Sequence, residues 1–370
     1  MRDQGAVDPG EQVPESRRVP ETPDWSCLAA RAQSLIDSGL AQGIYPGAVW
    51  MAGDADGPQA GGAVGVLDPL EDPTPMTSDT VFDIASLTKV TTLWPLIGLL
   101  WEEGKCELDS HVDELLPETK GRPLAQVTVR HLLTHTAGLP KRANLRALYG
   151  ADPTAIWRGI LNEPLHDVPG RRVAYCDRAA LVLGLIAQRL LGDQLSDAAR
   201  KLVWAPLGMD DTRYGPLPSE SRKRCAPTEY DETARQRVRG TVHDYSARLL
   251  GETAGNSGVF STAADLARFL HHLLVAGRGA HSVVPPTWIS LSLQVHTRDL
   301  EPAWGLGWML DRRPDPAAQA FVHYGFTGTG IWVSRKRSRW AVLLTNKIYY
   351  SRSFAPLDEI RSVFSTFVFP

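Results

Sequence analysis

The feature that most restricts this chain's fold is the distribution of its strand-forming runs, which gather at the two ends and leave a long middle almost without them. From Ser26 to Leu40 the apolar residues Leu28, Ala32, Leu35 and Ile36 recur at helical spacing, behind a Ser26 cap and ahead of Gly39. AVWMAG (48–53), a DADGP turn and GGAVGVLD (61–68) then read as a hairpin. A second helix is expected from about Ser86, with Val90, Leu93, Ile97, Leu100 and Trp101 on one stripe. Pro95 lies inside it, where it should kink the helix or leave a carbonyl unpaired. At the other end GLGWML, QAFVHYG, GIWVS and RWAVLLTN are short apolar segments broken by turn residues, and DEIRSVFSTFVF closes with a helical pattern. These signals imply an α+β fold: one antiparallel sheet built from both termini, flanked by the N- and C-terminal helices, with a mainly helical insertion. The expected boundaries are 25–110 with 246–370 for the sheet domain and 111–245 for the helical one. Residues 1–24, polar and proline-rich, read as a disordered tail.

Composition excludes several classes. Hydrophobic residues make up 43% of the 370 and charged residues 22%, ordinary values for a globular protein. Lys and Arg number 39 against 42 Asp and Glu, so no basic excess points to nucleic acid or an anionic membrane. The strongly apolar run Leu93–Trp101 is far short of the about 20 residues a spanning helix needs. Cys27, Cys106, Cys176 and Cys225 form no C-x-x-C pair, so neither a disulfide framework nor a zinc site is signalled. Together with an N-terminus lacking an apolar core of the secretory type, this suggests a reducing, cytoplasmic setting. No cofactor or metal is called for, and the oligomeric state is left open.

The candidate chemistry starts at DIASLTKV (83–90), where Ser86 and Lys89 stand three apart. On a helix such residues are neighbours, about 5–6 Å apart at Cβ, so hydroxyl and amine touch. Lysine's ordinary pKa of about 10.4 keeps it charged, so to act as a base it must be buried or surrounded by cations. A serine in a first helical turn also carries an unpaired backbone N–H, suited to a developing oxyanion. S-x-x-K is short enough to arise by chance, and a helix cap beside a surface lysine is the simpler reading of it alone. A second element, RVAYCD (172–177), puts Tyr175 just outside a helix start, where a nearby ammonium could favour its phenolate. The third, FVHYGFTGTG (321–330), leads apolar residues into a glycine-rich strand start that a substrate carbonyl can approach closely.

In this order and spacing the three elements, SLTK, YCD and HYG, resemble the serine β-lactamase and penicillin-binding-protein superfamily, most closely its class C-like branch with the family VIII esterases. HLLTHTAGLP (131–140), GNSGVFSTAADLARF (255–269) and WGLGWML (304–310) are similar to the same branch. The resemblance spans about residues 25–370. It implies a β-lactamase/transpeptidase-like fold with the active site between its two domains, and a small-molecule acyl substrate. It also implies that Ser86 is the nucleophile, that Lys89 and Tyr175 share the general-base task, and that the backbone N–H groups of Ser86 and Phe326 form an oxyanion hole. His323 would lie near Tyr175 or the substrate, Trp304 would line the pocket, and Asp177 and Gly325 would border the substrate.

Two departures bear on that substrate. Asp177 stands where the pattern has asparagine, and His323 stands in place of a permanently charged lysine that in relatives reads a β-lactam's carboxylate. An aspartate and a neutral histidine would repel or fail to attract an anion, which favours a neutral or weakly charged ester, or an acyl thioester, over a β-lactam or a D-Ala-D-Ala terminus. An acyltransferase or peptide-cyclising enzyme, a β-lactamase or D-amino-acid peptidase, and a non-catalytic binding protein remain as alternatives. Two other motifs fail. His131 and His135 in HLLTH are spaced like zinc ligands, but position 132 is leucine and a third ligand is not indicated. Ser257 in GNSGV lacks the second glycine of a nucleophile elbow.

Overall fold

The computed structural model describes residues 24–141, 144–279, 282–311 and 319–370, so the expected tail lies, but for Asp24, outside the described residues. The N-terminal helix spans Trp25–Ala41 and is capped by Asp24, whose carboxylate accepts from the Ser26 and Cys27 amides, rather than by Ser26. Gly39 does not end this helix. It sits on the buried face, where a Cβ would come within 2.3 Å of the Tyr45 hydroxyl.

The main sheet takes β1 (Gly47–Asp54), β2 (Gly57–Asp68) and β3 (Asp72–Pro75) from the first part of the chain. From the last part it takes β9 (Met309–Asp311), β10 (Ala320–Tyr324), β11 (Gly330–Ser334) and β12 (Arg339–Thr345). The order is β3-β2-β1-β12-β11-β10-β9, antiparallel throughout, with first and last parts joined where Ala48 pairs with Thr345 and Asp54 with Arg339. A small sheet combines β4 (Phe82–Asp83), β5 (Arg213–Tyr214) and β8 (Val259–Ser261), and β6 (Tyr230–Asp231) pairs with β7 (Gln236–Arg237).

Alternation along the central strands divides the core in two. Ala48, Trp50, Trp332, Ala341 and Leu343 pack with Leu28 and Ile36 of the first helix and Leu357 and Phe364 of the last, Ala355–Val368. Val49, Ile331, Val333, Val342 and Leu344 join the other core with Leu266 and Phe269 of helix Ala263–Val275. Both faces are covered, so β11 and β12 read as unbroken apolar runs rather than alternating ones. Phe364 meets Trp50 and Trp332 edge-on at 5.9 and 5.8 Å.

The helix expected from Ser86 is in fact three pieces: a 3-10 turn Ala85–Leu87, a π turn Lys89–Leu93 and an α-helix Trp94–Glu102. Pro95 falls in the first turn of the α-helix, directly after the π turn, and the Thr91 carbonyl four residues before it, which Pro95 cannot serve, accepts instead from the Trp204 indole N–H at 3.0 Å. The segment between β4 and β8 is mostly short helices around the longer Asp177–Leu191, whose flank packs on the π turn and on Trp94–Glu102. Among the described residues no helix is long and apolar enough to cross a membrane.

Candidate active site

The turn that carries Ser86 is held from three sides. Ile84 N–H donates to the Val259 carbonyl at 3.0 Å, continuing the β4–β8 pairing, and Val259 N–H donates to Thr88 Oγ1 at 3.2 Å. Ala85 then takes φ +46°, a left-handed conformation costing a residue with Cβ about 1–2 kcal/mol. The buried Asp83 carboxylate sustains it, accepting from the Ala85 amide at 2.8 Å and from the His243 amide at 2.7 Å. Burial raises the Asp83 pKa, against the pull of those amides.

Lys89, 6% exposed, spends all three ammonium protons: on Ser86 Oγ at 2.9 Å, Asp177 Oδ1 at 2.7 Å and the Asn256 carbonyl at 2.9 Å. Burial opposes its charge, yet the Asp177 carboxylate and the Tyr175 oxygen outweigh burial and raise its pKa. This corrects the expectation of a lysine lowered by burial or by cations. It also corrects the reading of Asp177 as a free anion facing substrate, because its charge is matched by Lys89.

Tyr175 precedes helix Asp177–Leu191, and its hydroxyl lies within reach of both Lys89 and Ser86. The side chain is 37% exposed overall while its hydroxyl end is enclosed, so burial raises its pKa against the opposing Lys89 charge. Beneath the ring lies His135, at φ +55° and buried, with centroids 4.5 Å from Tyr175 and 4.5 Å from Trp304. Its carbonyl accepts from Ala174 N–H and its Nδ1 from Cys176 N–H, so it grips the backbone on both sides of Tyr175. Burial, reinforced by Lys89, lowers the His135 pKa to about 3, so the ring is neutral. His131 does something unrelated, pairing with Thr128 in a helix cap.

The opposite wall is the end of β10. Its pairing with β9 stops at Val322, so from His323 onward that edge is free of β9. Gly325 passes so close to the turn carrying Ser86 that a Cβ would meet the Ile84 carbonyl at 2.5 Å. Thr327 Oγ1 donates to the Asp83 carbonyl at 2.6 Å and Thr329 Oγ1 to the Ile84 carbonyl at 3.2 Å, lacing the two loops together. The Gly325 carbonyl accepts from Gly328 N–H at 3.1 Å, and the buried Arg361 reaches it at 3.5 Å while donating to the Thr329 carbonyl at 2.8 Å. A trans peptide sets its C=O and N–H in opposite directions, so these contacts fix the direction of the Phe326 N–H. The Phe326 ring stacks on His243 at 5.6 Å and lies under Arg352, and Glu229 binds both of those residues. Trp304 and His323, ring centroids 6.2 Å apart, complete the wall at 5.9 and 6.1 Å from Tyr175.

Ser86, Lys89, Tyr175, Asp177, His323 and Trp304 thus converge, with Gly325 and Phe326 on the adjoining loop. Asn256, His135, Asp83 and Arg361 were not read in these roles from the sequence, where His135 figured only as a failed zinc ligand. The first two lie in stretches that resembled the family, GNSGVF and HLLTHTAGLP, but nothing local marks them as neighbours of Lys89 and Tyr175. Hollows elsewhere, around Arg31 with Phe367 and beside Glu118 with Arg189, are lined by a cation over a ring and by a surface ion pair.

Comparison with known proteins gives a consistent picture. The Beta-lactamase family model matches residues 32–362. A putative D-alanyl-D-alanine carboxypeptidase of Escherichia coli K12 is 25% identical over 311 residues, covering 75% of this chain and 71% of its own. Esterase EstB of Burkholderia gladioli is 28% identical over 380 aligned positions, 89% of this chain and 93% of EstB. The class C beta lactamase from Rhodobacter sphaeroides superposes with a TM-score of 0.72 at 20% identity, over 90% of this chain and 98% of that one.

Proposed function

The chain belongs to the beta-lactamase family, and from that premise we propose that it is a serine hydrolase acting through an acyl-enzyme on a neutral carboxylic ester. The observation that carries the reading is the 2.9 Å contact between Lys89 Nζ and Ser86 Oγ, with the Tyr175 hydroxyl within reach of both. Coverage of nearly the whole of EstB supports the ester. The site would lie between a sheet unit, 25–110 with 246–370, and a helical unit, 111–245.

At rest the site is loaded with protons, an ammonium at Lys89 and a phenol at Tyr175. The reactive form has one proton fewer, shared by the pair. As Ser86 Oγ bonds to the ester carbon, its proton passes to that pair, and the carbonyl oxygen becomes an oxyanion between the Ser86 and Phe326 N–H groups. Collapse breaks the bond to the leaving alkoxide, which takes the proton from the pair. Water then attacks the acyl-enzyme by the same route and releases Ser86.

Intact-mass measurement of wild type and Ser86→Ala after exposure to a fluorophosphonate and to short p-nitrophenyl esters tests this. Wild type should gain one adduct and release nitrophenol, and Ser86→Ala should do neither. A wild type that stays unlabelled and inert refutes the enzyme reading, and equal labelling of the variant refutes Ser86. Acyl transfer shares every step up to the acyl-enzyme, so adding alcohol or amine acceptors and identifying the products distinguishes it from hydrolysis.

A further inference from the structure

His323 and Trp304 are nearly sealed, at 2% and 4% exposure, and each holds one polar atom without a hydrogen-bond partner among the described residues: His323 Nε2 and Trp304 Nε1. Leaving such an atom unpaired costs about 1–3 kcal/mol, so a pair of them beside Ser86, Lys89 and Tyr175 points to a ligand. The tautomer of His323 fixes what that ligand must offer. Its Nδ1 lies 3.2 Å from the Tyr324 carbonyl oxygen, which can only accept, so Nδ1 carries the proton. Burial, with the Lys89 charge adding to it, keeps the pKa of this ring well below the usual histidine value. A neutral ring protonated at Nδ1 leaves Nε2 as a lone pair. The indole Nε1–H of Trp304 is a donor only. The two rings, 6.2 Å apart and inclined at 76°, therefore hold one unpaired acceptor and one unpaired donor, both closed off from solvent.

Resting on the serine-hydrolase reading above, we propose that His323 Nε2 and Trp304 Nε1 form a subsite for an uncharged group that both donates and accepts, a hydroxyl carried by the ester substrate. A carboxylate there would set its oxygens against the Nε2 lone pair, and an alkyl group would leave both atoms unpaired. Sites built to bind a hydroxyl reject the deoxy analogue far more strongly than apolar pockets reject an added group. The pair thus acts on choice of substrate rather than on bond making, and the hydroxyl sits on either the acyl or the alcohol portion.

The test uses matched p-nitrophenyl 3-hydroxybutyrate and butyrate for the acyl side, and ethylene glycol monobutyrate and propyl butyrate for the alcohol side. In one of the two arms wild type should favour the hydroxylated ester by about tenfold or more in kcat/KM, the factor equivalent to about 1.4 kcal/mol. His323→Phe and Trp304→Phe should each bring that ratio close to one. Nitrogen-15 spectra should place the His323 proton on Nδ1 at neutral pH and shift Nε2 when the favoured alcohol or acid product is added. Fluorophosphonate labelling of Ser86 in every variant reports separately on folding and on the hydrolase reading. Ser86 labelled with no hydroxyl preference in either arm, or a His323 proton on Nε2, overturns the subsite and leaves the serine hydrolase standing. Loss of Ser86 labelling in wild type overturns both.

Discussion

On the proposed mechanism, Asp177→Asn should make this protein a better catalyst at neutral pH, because Asp177 holds a proton on Lys89 that would have to leave before Ser86 attacks. The two charged groups are 2.7 Å apart at their nearest atoms, with the lysine buried and Asp177 half exposed. Unit charges about 4 Å apart are worth about 4 kcal/mol at an effective dielectric near 20. Exposure of Asp177 to solvent reduces this to about 2 kcal/mol, equivalent to about 1.5 pH units. Asparagine keeps the shape and an acceptor oxygen for Lys89 but removes the charge. The acid limb of kcat/KM, followed with a short p-nitrophenyl ester between pH 5 and 10, should therefore move down by about 1.5 pH units. Below that limb the reactive form becomes about 30-fold more abundant. Its lower basicity gives part of this back, leaving a gain of about 5- to 30-fold. Wild-type activity itself should rise with pH above neutrality, since Lys89 and Tyr175 both hold their protons more firmly than usual. An acid limb that stays put or moves up in Asp177→Asn, with Ser86 still labelled by a fluorophosphonate, refutes the reasoning.

Arg361→Met removes the guanidinium that anchors the Thr329 and Gly325 carbonyls. Loosening the Phe326 N–H should lower kcat by about 10- to 100-fold, short of the about 100- to 1,000-fold typical of losing an oxyanion donor outright, with KM changed far less in steady-state assays. Glu229→Gln should cost up to about 3 kcal/mol of stability at pH 7 by urea unfolding. Burial opposes the Glu229 charge, but the bonds from His243 and Arg352 prevail and hold its pKa at about 2 against an ordinary 4.5. A depressed carboxylate stabilises above its unfolded value, so the gap between wild type and variant should close as pH falls from 4.5 toward 2. Asp177→Asn with His323→Lys should increase turnover of an anionic β-lactam, measured by loss of ring absorbance. Because Asp177 is already neutralised by Lys89, the His323→Lys change should supply most of that gain.

Much of the architecture was legible because it rests on local periodicity. The hairpin AVWMAG to GGAVGVLD, the late strands GIWVS and RWAVLLTN, and the two terminal helices all carry their pattern in a few consecutive residues. Boundaries that depended on distant contacts were not legible. Gly39 looked like a helix end and is a berth for Tyr45, and GLGWML yields a strand only from Met309. The run from Ser86 looked like one helix, but the tethers to β8 and to Asp83 force a 3-10 turn and then a π turn ahead of Pro95.

The site divides along the same line. The resemblance carried by three motifs singled out Ser86, Lys89 and Tyr175 as the residues proposed for catalysis, and the chemistry of imidazole supplied the expectation of an uncharged His323. It could not say which charge Lys89 would meet, that His135 would lie under Tyr175, or that Arg361 of the last helix would hold the loop of Phe326. Those contacts join residues 88, 40 and 36 positions apart, and they exist only because the sheet and its helices bring the segments together. Residue type fixes what a group can donate, accept or ionise to in water. Burial and neighbours decide which of those states it keeps, and both are properties of the packed chain.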